Sequence, residues 1–262
     1  MASFHAASAP AGERRVIDEI RSFWDLDAAG YDAEPTHHPS TTAERAAWAA
    51  ALHRHLPPAP ARILDVGAGT GFLTLIAARL GHRVTALDLS PEMLRRLRAK
   101  AETQRLAIET VEGAAHDVPA GPYDAVIERH LIWTLPEPQR ALAAWRDAAP
   151  GGRLLLFEGI WGRADGVETA RQWMRHTLRR MRRRPSGHHA SYDAAVLDQL
   201  PLAGRSHPET VASEAEAAGW GTPRLERLAD VEWARRLTLG PLDRMLGVTP
   251  TFVVVCDASP AE

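Results

Sequence analysis

The sequence contains a single cysteine, Cys256, among its 262 residues. A disulfide framework and a cysteine-based zinc site are excluded, because each needs more than one cysteine. Apolar runs are short, such as residues 154–157, and fall far below the roughly 20 residues that cross a bilayer. The amino terminus lacks a charged segment followed by an apolar stretch, so no secretory signal is predicted and the cytoplasm is the expected location.

An excess of positive charge is also lacking. The 31 basic and 33 acidic residues leave a formal net charge of −2, which excludes an overall cationic surface for nucleic acid phosphates. Lys100 is the only lysine, so arginine supplies the remaining positive charge. Hydrophobic residues make up 45% of the chain, which is enough for a globular core.

Strand-like and helix-like segments alternate through the chain. Such repeated units predict an α/β fold whose mostly parallel sheet has helices on both faces. Ser90 and Pro91 favour a helix start, since serine suits the N-cap and proline the first helical position. The seven segments predicted as strands are residues 63–66, 83–89, 107–112, 123–128, 153–158, 223–228 and 252–256.

The same pattern predicts the organisation of the chain. Residues 1–12 have no periodicity and are expected to be disordered, and residues 13–262 are expected to form one domain. Within this domain we predict a helical cap, a ligand-binding core, a helical insertion after the fifth strand that acts as a lid, and the C-terminal part of the sheet. Their respective bounds are 13–58, 59–160, 161–206 and 207–262.

A glycine-rich turn follows the first strand. Gly67, Gly69 and Gly71 permit a tight turn and let a ligand approach the backbone closely. A dinucleotide fingerprint would need glycine at position 72, where Phe72 stands, and a P-loop would need a lysine that is absent. Asp88 ends the second strand, where a carboxylate can accept hydrogen bonds from two ribose hydroxyls. The turn and Asp88 together predict a nucleoside ligand with a free 2′-hydroxyl.

Five segments resemble, in the correct order, the motifs of the class I S-adenosylmethionine-dependent methyltransferases. The resemblance is strongest to the small-molecule branch that includes ubiquinone/menaquinone-type enzymes. It implies a Rossmann-like fold, S-adenosylmethionine as cofactor and methyl transfer as the reaction. The segments are residues 63–73, 85–94, 112–119, 123–130 and 150–155, and Phe23-Trp24-Asp25 and Tyr31-Asp32 are similar to the N-terminal helix of that branch.

The resemblance implies roles for individual residues of the cofactor site. Asp65 would fix the glycine turn, Asp88 would bind the ribose and Met93 would pack on the adenine. Ala114 stands where the family often has an acid, so Asp117 or the nearby backbone would have to contact the adenine amino group. The expected cofactor-binding residues are Tyr31, Asp65, Gly67, Ala68, Gly69, Gly71, Asp88, Leu89, Met93, Ala114, Ala115, His116, Glu128 and Arg129.

Candidates for the acceptor side follow the fourth strand. His130 can accept a proton near neutral pH, or it is a core histidine bonded to the backbone; with Glu128 it forms the expected catalytic set. Trp133 is either a wall of the acceptor pocket or ordinary packing. No metal site is predicted, because the histidine spacings match no ligand motif. The expected substrate-binding residues are Trp24, His37, His38, His130, Trp133, Trp161 and Arg175.

The predicted insertion contains an arginine-rich helix, with eight arginines and two acids over residues 163–184. Its apolar stripe, which includes Trp173 and Met174, is expected to pack on the sheet domain or roof the pocket. The arginines are consistent with a solvated face, with a clamp for a carboxylate or phosphate, or with nucleic-acid contact.

The residues and the resemblance together predict methyl transfer to an oxygen or ring nitrogen of a small molecule, with carbon as a further option. We expect an aromatic or anionic acceptor, a place in specialised metabolism, and a monomer or homodimer without membrane or nucleic-acid partners. An RNA or protein methyltransferase of the same fold is the alternative, although an amino-group methylation motif is missing at residues 128–131. A non-catalytic cofactor-binding scaffold and a nicotinamide oxidoreductase are further alternatives, opposed by the intact turn and by Phe72.

Overall fold

The structure is a computed structural model that describes residues 11–34, 37–159, 170, 173, 174, 177, 192–204 and 207–258. The strands are β1 (Arg62–Val66), β2 (Arg83–Asp88), β3 (Ile108–Glu112), β4 (Ala125–Arg129), β5 (Arg153–Gly159), β6 (Arg224–Arg227) and β7 (Thr251–Asp257). The helices are α1 (Ala11–Asp27), α2 (Thr42–His55), α3 (Phe72–Arg79), α4 (Pro91–Thr103), α5 (Pro138–Ala148), α6 (Ala194–Leu197), α7 (Pro208–Ala217), α8 (Ala229–Arg236) and α9 (Pro241–Leu246). Two short 3₁₀ helices cover Tyr31–Ala33 and Ile132–Thr134.

The strands form one seven-stranded sheet in the order β3-β2-β1-β4-β5-β7-β6. Pairing is parallel from β3 to β5, whereas β7 runs antiparallel to both β5 and β6. The predicted Rossmann-like, mostly parallel α/β sheet is therefore confirmed. The register pairs Val66 with Leu87 on one side and with Glu128 on the other. The carboxyl ends of β1, β2 and β4 thus meet at one edge, where open α/β sheets bind ligands.

Helices cover both faces of the sheet. One face packs against α2, α3 and α8, and the other against α5 and α7. Trp48 and Leu52 of α2 are fully buried in the first layer, so this helix covers a sheet face and not the carboxyl edge. Helix α1 instead packs against α4 and α6, which places it near the carboxyl edge.

Helix starts follow the expected capping chemistry. Ser90 is the N-cap of α4, where its Oγ accepts a hydrogen bond from the Met93 backbone N–H at 3.1 Å, and Pro91 takes the first helical position. Thr41 caps α2 in the same way, through the backbone N–H of Glu44. Local sequence was a weaker guide to α8 and α9, which have only 8 and 6 residues.

Most of the predicted insertion lies outside the described residues. Four of its positions are described between 160 and 191, and at these the backbone is helical at Ala170, Trp173, Met174 and Thr177. Trp173 is 69% exposed and Met174 is 43% exposed, so these two side chains do not provide the packing expected of an apolar stripe. Within the described ranges, no helix is both long and apolar enough to cross a bilayer.

Candidate active site

A cavity of about 430 Å³ opens at the carboxyl edge of the sheet. Its floor is formed by the ends of β1, β2 and β4 and by the loops that follow β1, β3 and β4. Its roof is formed by α1, the Tyr31–Ala33 helix and the segment before α6. The floor residues include Val66, Gly67, Gly69, Asp88, Gly113, Ala114, Arg129 and His130, and the roof residues include Ile17, Ile20, Phe23, Trp24, Tyr31, His37 and Tyr192.

The glycine turn leaves room for a ligand at its centre. Gly67, Gly69 and Gly71 all have positive φ, at 65°, 55° and 94°, a region that side chains other than glycine rarely adopt. A Cβ added at Gly67 would lie 2.8 Å from Leu131, so that glycine is needed for packing. A Cβ at Gly69 would meet nothing closer than the Tyr31 ring and the Gly67 carbonyl, both at 4.0 Å. The open space beneath Tyr31 is therefore where a ligand can approach the backbone.

Asp88 connects the second strand to this turn. Its Oδ2 accepts a hydrogen bond from the Gly69 N–H at 2.7 Å, and its Oδ1 accepts one from the Ser90 N–H at 2.8 Å. Burial raises the pKa of Asp88 to about 6. Because each carboxylate oxygen can accept a second hydrogen bond, Asp88 can hold the turn and still accept hydroxyl groups from a ligand in the cavity.

Four residues of the expected cofactor set do not line the cavity: Asp65, Ala68, Gly71 and Glu128. The Asp65 carboxylate is buried and accepts a hydrogen bond from the Thr74 hydroxyl at the start of α3. Burial raises the pKa of Asp65 to about 7. The contact joins the end of β1 to α3, so the structure places Asp65 where it supports the turn.

The loop after β3 lines the far end of the cavity. Ala114, Ala115 and His116 all line this space, as do Leu89 and Met93. The Trp145 indole N–H donates a 2.7 Å hydrogen bond to the Ala115 carbonyl and holds the loop in place. These apolar and backbone surfaces form a slot suited to a flat heterocycle.

His130 and Glu158 form a hydrogen-bonded pair beside the floor. His130 follows β4 with φ at 60°, and its Nδ1 lies 3.2 Å from Oε2 of Glu158 at the end of β5. A non-glycine residue in this conformation carries backbone strain, which concentrates at functional sites. Glu158 is fully buried, whereas the His130 side chain is 25% exposed and lines the cavity.

Burial fixes the charge state of this pair. Burial, followed by the neighbouring Glu128, raises the pKa of Glu158 well above its ordinary value. Burial, followed by the charges of Arg129 and Arg235, lowers the pKa of His130 well below its ordinary value. Both shifts favour the uncharged forms, in which a protonated Glu158 donates to Nδ1 of a neutral His130.

Glu128, the other expected catalytic residue, has its carboxyl group turned into the protein. It is fully buried, and its Oε2 accepts a 2.8 Å hydrogen bond from the Leu131 N–H. Burial raises the pKa of Glu128 to about 8. Glu128 does not line the cavity and holds the loop that carries His130.

The roof is a connected set of aromatic rings. Tyr192 lies 4.6 Å from Phe23 and 6.0 Å from Trp133, measured between ring centroids. Tyr31 stacks on His37 at 3.9 Å and contacts Trp24 edge-on at 6.0 Å. Such rings offer flat apolar surface above the floor.

Lys100 fastens one part of the roof to the glycine turn. Its ammonium group donates to Oδ2 of Asp32 at 2.7 Å and to the Thr70 carbonyl at 3.1 Å. The Thr70 hydroxyl donates to the other oxygen of Asp32 at 2.7 Å. Asp32 is in the same 3₁₀ helix as Tyr31, so this latch of Asp32, Thr70 and Lys100 holds Tyr31 above Gly69.

The structure brings most predicted site residues together. The cavity is lined by Trp24, Tyr31, His37, Gly67, Gly69, Asp88, Leu89, Met93, Ala114, Ala115, His116, Arg129, His130 and Trp133. His38 lines a neighbouring depression beside Thr70 and Lys100. Trp161 and Arg175 lie outside the described residues. Among the described residues, no group of three or more histidine, cysteine or acidic side chains could hold a metal ion.

Two residues of the site were missed by sequence reasoning. The sequence does contain a signal for Glu158. It is an acid directly after the apolar residues 154–157, at the end of a buried strand, and the next strand in the sheet is the one that precedes His130. Tyr192 has none, since it lies within the predicted insertion, at 161–206, and outside every motif. Only the packing of α6 against α1 brings it to Phe23 and Trp24.

Comparison with known proteins identifies the central part of the chain. Residues 64–156 match the model of the family described as "Methyltransferase domain". This range contains β1 to β5 almost completely and every residue of the floor. This part of the chain is therefore similar to a methyltransferase domain, in agreement with the resemblance found in the motifs.

Individual relatives match the same region. A ubiquinone biosynthesis O-methyltransferase of Xanthomonas axonopodis pv. citri is 36% identical over 105 residues, which cover 38% of this chain and 44% of that relative. The chain thus matches less than half the length of this curated relative.

Solved structures resemble a larger part of the fold. A chain in the complex between the Haloferax volcanii Trm112 methyltransferase activator and a methyltransferase superposes with a TM-score of 0.60 at 20% identity, covering 93% of this chain and 98% of that one. Phosphoethanolamine N-methyltransferase 2 of Haemonchus contortus, in complex with phosphomonomethylethanolamine and S-adenosylhomocysteine, gives 0.59 at 15% identity, covering 94% and 61%. At these identities the similarity shows the fold alone.

Proposed function

We propose that the protein transfers a methyl group from S-adenosylmethionine to an oxygen or ring nitrogen of a small molecule. One observation carries the proposal: the glycine turn, Asp88 and His130 line the same cavity, and His130 is hydrogen-bonded to the buried Glu158. The curated relative named as an O-methyltransferase supports an oxygen acceptor. A role in specialised metabolism, a cytoplasmic location and a monomeric or dimeric state remain predictions.

The floor fits the methyl donor from end to end. Asp88 can accept the two ribose hydroxyls, and the slot between Met93 and Ala115 suits the adenine. The open space between Gly69 and Tyr31 suits the amino acid end. When bound, S-adenosylmethionine would supply an electrophilic methyl group on a positively charged sulfur. The protein then needs chiefly to position the acceptor and exclude water.

His130 is the proposed general base. With Nδ1 engaged by Glu158, proton exchange with an acceptor would take place at Nε2. Nε2 can accept a proton only when Nδ1 carries the hydrogen and Glu158 is a carboxylate. Glu158 then also stabilises the imidazolium ion that forms. This base would serve a phenol or an azole N–H, whose proton must leave as the methyl group arrives.

The aromatic roof favours a flat acceptor. Trp133 and Tyr192 are neighbours, with ring centroids 6.0 Å apart, and both line the cavity that His130 also lines. Stacking of an aromatic acceptor against such rings is worth about 0.5–1.5 kcal/mol beyond the area it buries. We therefore propose an aromatic small molecule with an acidic O–H or N–H as the acceptor.

Two measurements test the proposal. Calorimetry should first detect binding of S-adenosylhomocysteine to the purified protein. Tritiated S-adenosylmethionine should then label one class in a panel of phenols, azoles, carboxylates, amines, quinone precursors and bulk tRNA. Label in phenols or azoles supports the proposal, label in tRNA alone favours the RNA methyltransferase alternative, and failure to bind S-adenosylhomocysteine contradicts the proposal.

A further inference from the structure

Arg129 is a cation in the cavity floor, and it has no partner of opposite charge among the residues that the structure describes. Its side chain lines the cavity at the end of β4, and its guanidinium carbon lies 3.9 Å from the centre of the Phe72 ring. Across all residues that the structure describes, its stacking on Phe72 is the only direct contact recorded for the guanidinium, and none of them accepts its hydrogen bonds. Five N–H donors are thus available next to open space.

Nearby acids place only part of their full negative charge beside this cation. Burial raises the pKa of Asp65 to about 7 and the pKa of Glu128 to about 8, and it raises the pKa of Glu158 well above its ordinary value. These shifts reduce the negative charge that the three carboxyl groups carry near neutral pH. The guanidinium keeps its charge, because arginine does not lose its proton in proteins, although burial lowers the pKa of Arg129.

A second cation nearby shows the contrast. Arg235 also acts electrostatically on His130, but its Nε lies 3.1 Å from the buried carboxylate of Glu44, and its Nη1 donates to the Thr251 hydroxyl at 3.2 Å. Arg235 therefore has an internal counter-ion, which Arg129 lacks. A desolvated cation is costly unless it is paired, and the side of Arg129 that is open is the cavity.

We propose that Arg129 binds the carboxylate of a ligand in this cavity. The Phe72 ring fixes the plane of the guanidinium, and a planar fork matches a carboxylate through two parallel hydrogen bonds. The register places Arg129 one residue beyond the partner of Val66, beside Gly67. The inference rests on the proposed function, which supplies two sources of a carboxylate: the amino acid end of the methyl donor, or an acidic acceptor.

Paired ligands test the first source. S-adenosylhomocysteine carries the amino acid end, and 5′-methylthioadenosine lacks it. Calorimetry should show that Arg129→Met lowers the affinity for S-adenosylhomocysteine about 10- to 100-fold, the range for a lost charge-assisted hydrogen-bonded pair. The affinity for 5′-methylthioadenosine should change less than about twofold. Arg129→Lys should recover part of the loss, because a point charge replaces the fork.

Arg62→Met is the matched control. The Arg62 guanidinium also stacks on a ring, at 5.4 Å from Tyr123, but it starts β1 at the opposite edge of the sheet and does not line the cavity. Affinity for both nucleosides should be unchanged in this variant. Thermal unfolding of all variants with and without 5′-methylthioadenosine checks that the cavity still forms.

A second titration tests the acceptor as the source. Benzoate is added to protein saturated with S-adenosylhomocysteine, in the wild type and in Arg129→Met. Benzoate binding that is lost in the variant, with unchanged S-adenosylhomocysteine affinity, assigns the carboxylate to the acceptor. If neither ligand responds to the substitution, or if both nucleosides weaken equally, the proposal is overturned. If the wild-type protein binds neither S-adenosylhomocysteine nor 5′-methylthioadenosine, the proposed function itself is contradicted.

Discussion

The floor and the roof of the cavity are built by different means. The floor is mostly main chain, with Asp88, Arg129 and His130 added at strand ends, and its shape follows from the register of three parallel strands. The roof is made of side chains from segments far apart in sequence, such as Phe23, Tyr31 and Tyr192. A floor made this way can serve many enzymes with one cofactor, whereas the roof can change with the acceptor.

This comparison predicts that substitutions of floor residues have larger effects than substitutions that loosen the roof. The largest effect is expected at His130. In His130→Gln the rate of methyl transfer should fall about 10²- to 10⁴-fold, the usual contribution of a general base. S-adenosylhomocysteine affinity should stay within about twofold, since the amide keeps a polar group at this point of the floor.

The control for this variant is His53→Gln, because His53 is exposed on α2. Turnover and calorimetry on the two variants measure rate and affinity separately. A His130→Gln enzyme with full activity would show that His130 only packs the floor.

Asp88 should control the donor side of the floor. Asp88→Ala is expected to weaken the binding free energy of S-adenosylhomocysteine by about 1–3 kcal/mol, because two ribose hydroxyls lose their acceptor. Affinity in the wild type should also fall as the pH drops below the Asp88 pKa of about 6, since protonation removes the charged acceptor. Titration calorimetry at pH 5 and pH 8 measures both effects, with Asp147→Ala as the control because Asp147 is exposed. An affinity that does not depend on pH would contradict the role of Asp88 as the ribose acceptor.

Glu158 should control the pH at which the base works. The wild-type rate is expected to rise with pH through the raised pKa of Glu158, because Nε2 of His130 becomes a base only after Glu158 loses its proton. In Glu158→Gln the amide oxygen can accept the Nδ1 proton at any pH, so this rise should disappear. The maximal rate should drop at least roughly tenfold, since no carboxylate stabilises the imidazolium ion.

A pH–rate profile of Glu158→Gln, compared with exposed Glu102→Gln on α4, measures this effect. An unchanged profile would mean that the pH dependence arises from the acceptor or from another group. A merely structural role for Glu158 would lower activity without removing the rise.

The smallest effect is expected at the latch that joins the roof to the floor. Lys100→Met removes the ion pair with Asp32 and the hydrogen bond to Thr70. Partly exposed ion pairs contribute about 1 kcal/mol or less, so S-adenosylhomocysteine affinity should fall no more than about fivefold, chiefly through faster dissociation. Stopped-flow dissociation rates, with Arg95→Met on the same helix as the control, detect the change; equal rates in both variants would show that the latch does not hold Tyr31.

The floor could be predicted from the sequence because its features depend on residues that are close together in the chain. The turn needs a positive φ at three alternate positions, which Gly67, Gly69 and Gly71 provide. Asp88 needs only to lie at the end of β2, the strand that pairs with β1. The mostly parallel core followed from the alternation of strand and helix patterns. Even the α4 cap could be predicted from Ser90 and Pro91, since capping involves residues within one turn.

The tertiary structure alone decided which distant residues share the site. The side chain of Glu158 meets His130 because β4 and β5 are neighbours in the sheet, and Tyr192 reaches Phe23 because α6 packs against α1. The sequence by itself determined the glycine turn and the position of Asp88, which together predict a nucleoside-binding floor. Packing determined that Arg129 faces the cavity with no counter-ion among the described residues, while Arg235 is paired with Glu44, because burial and ion pairing depend on segments that approach only in the folded chain.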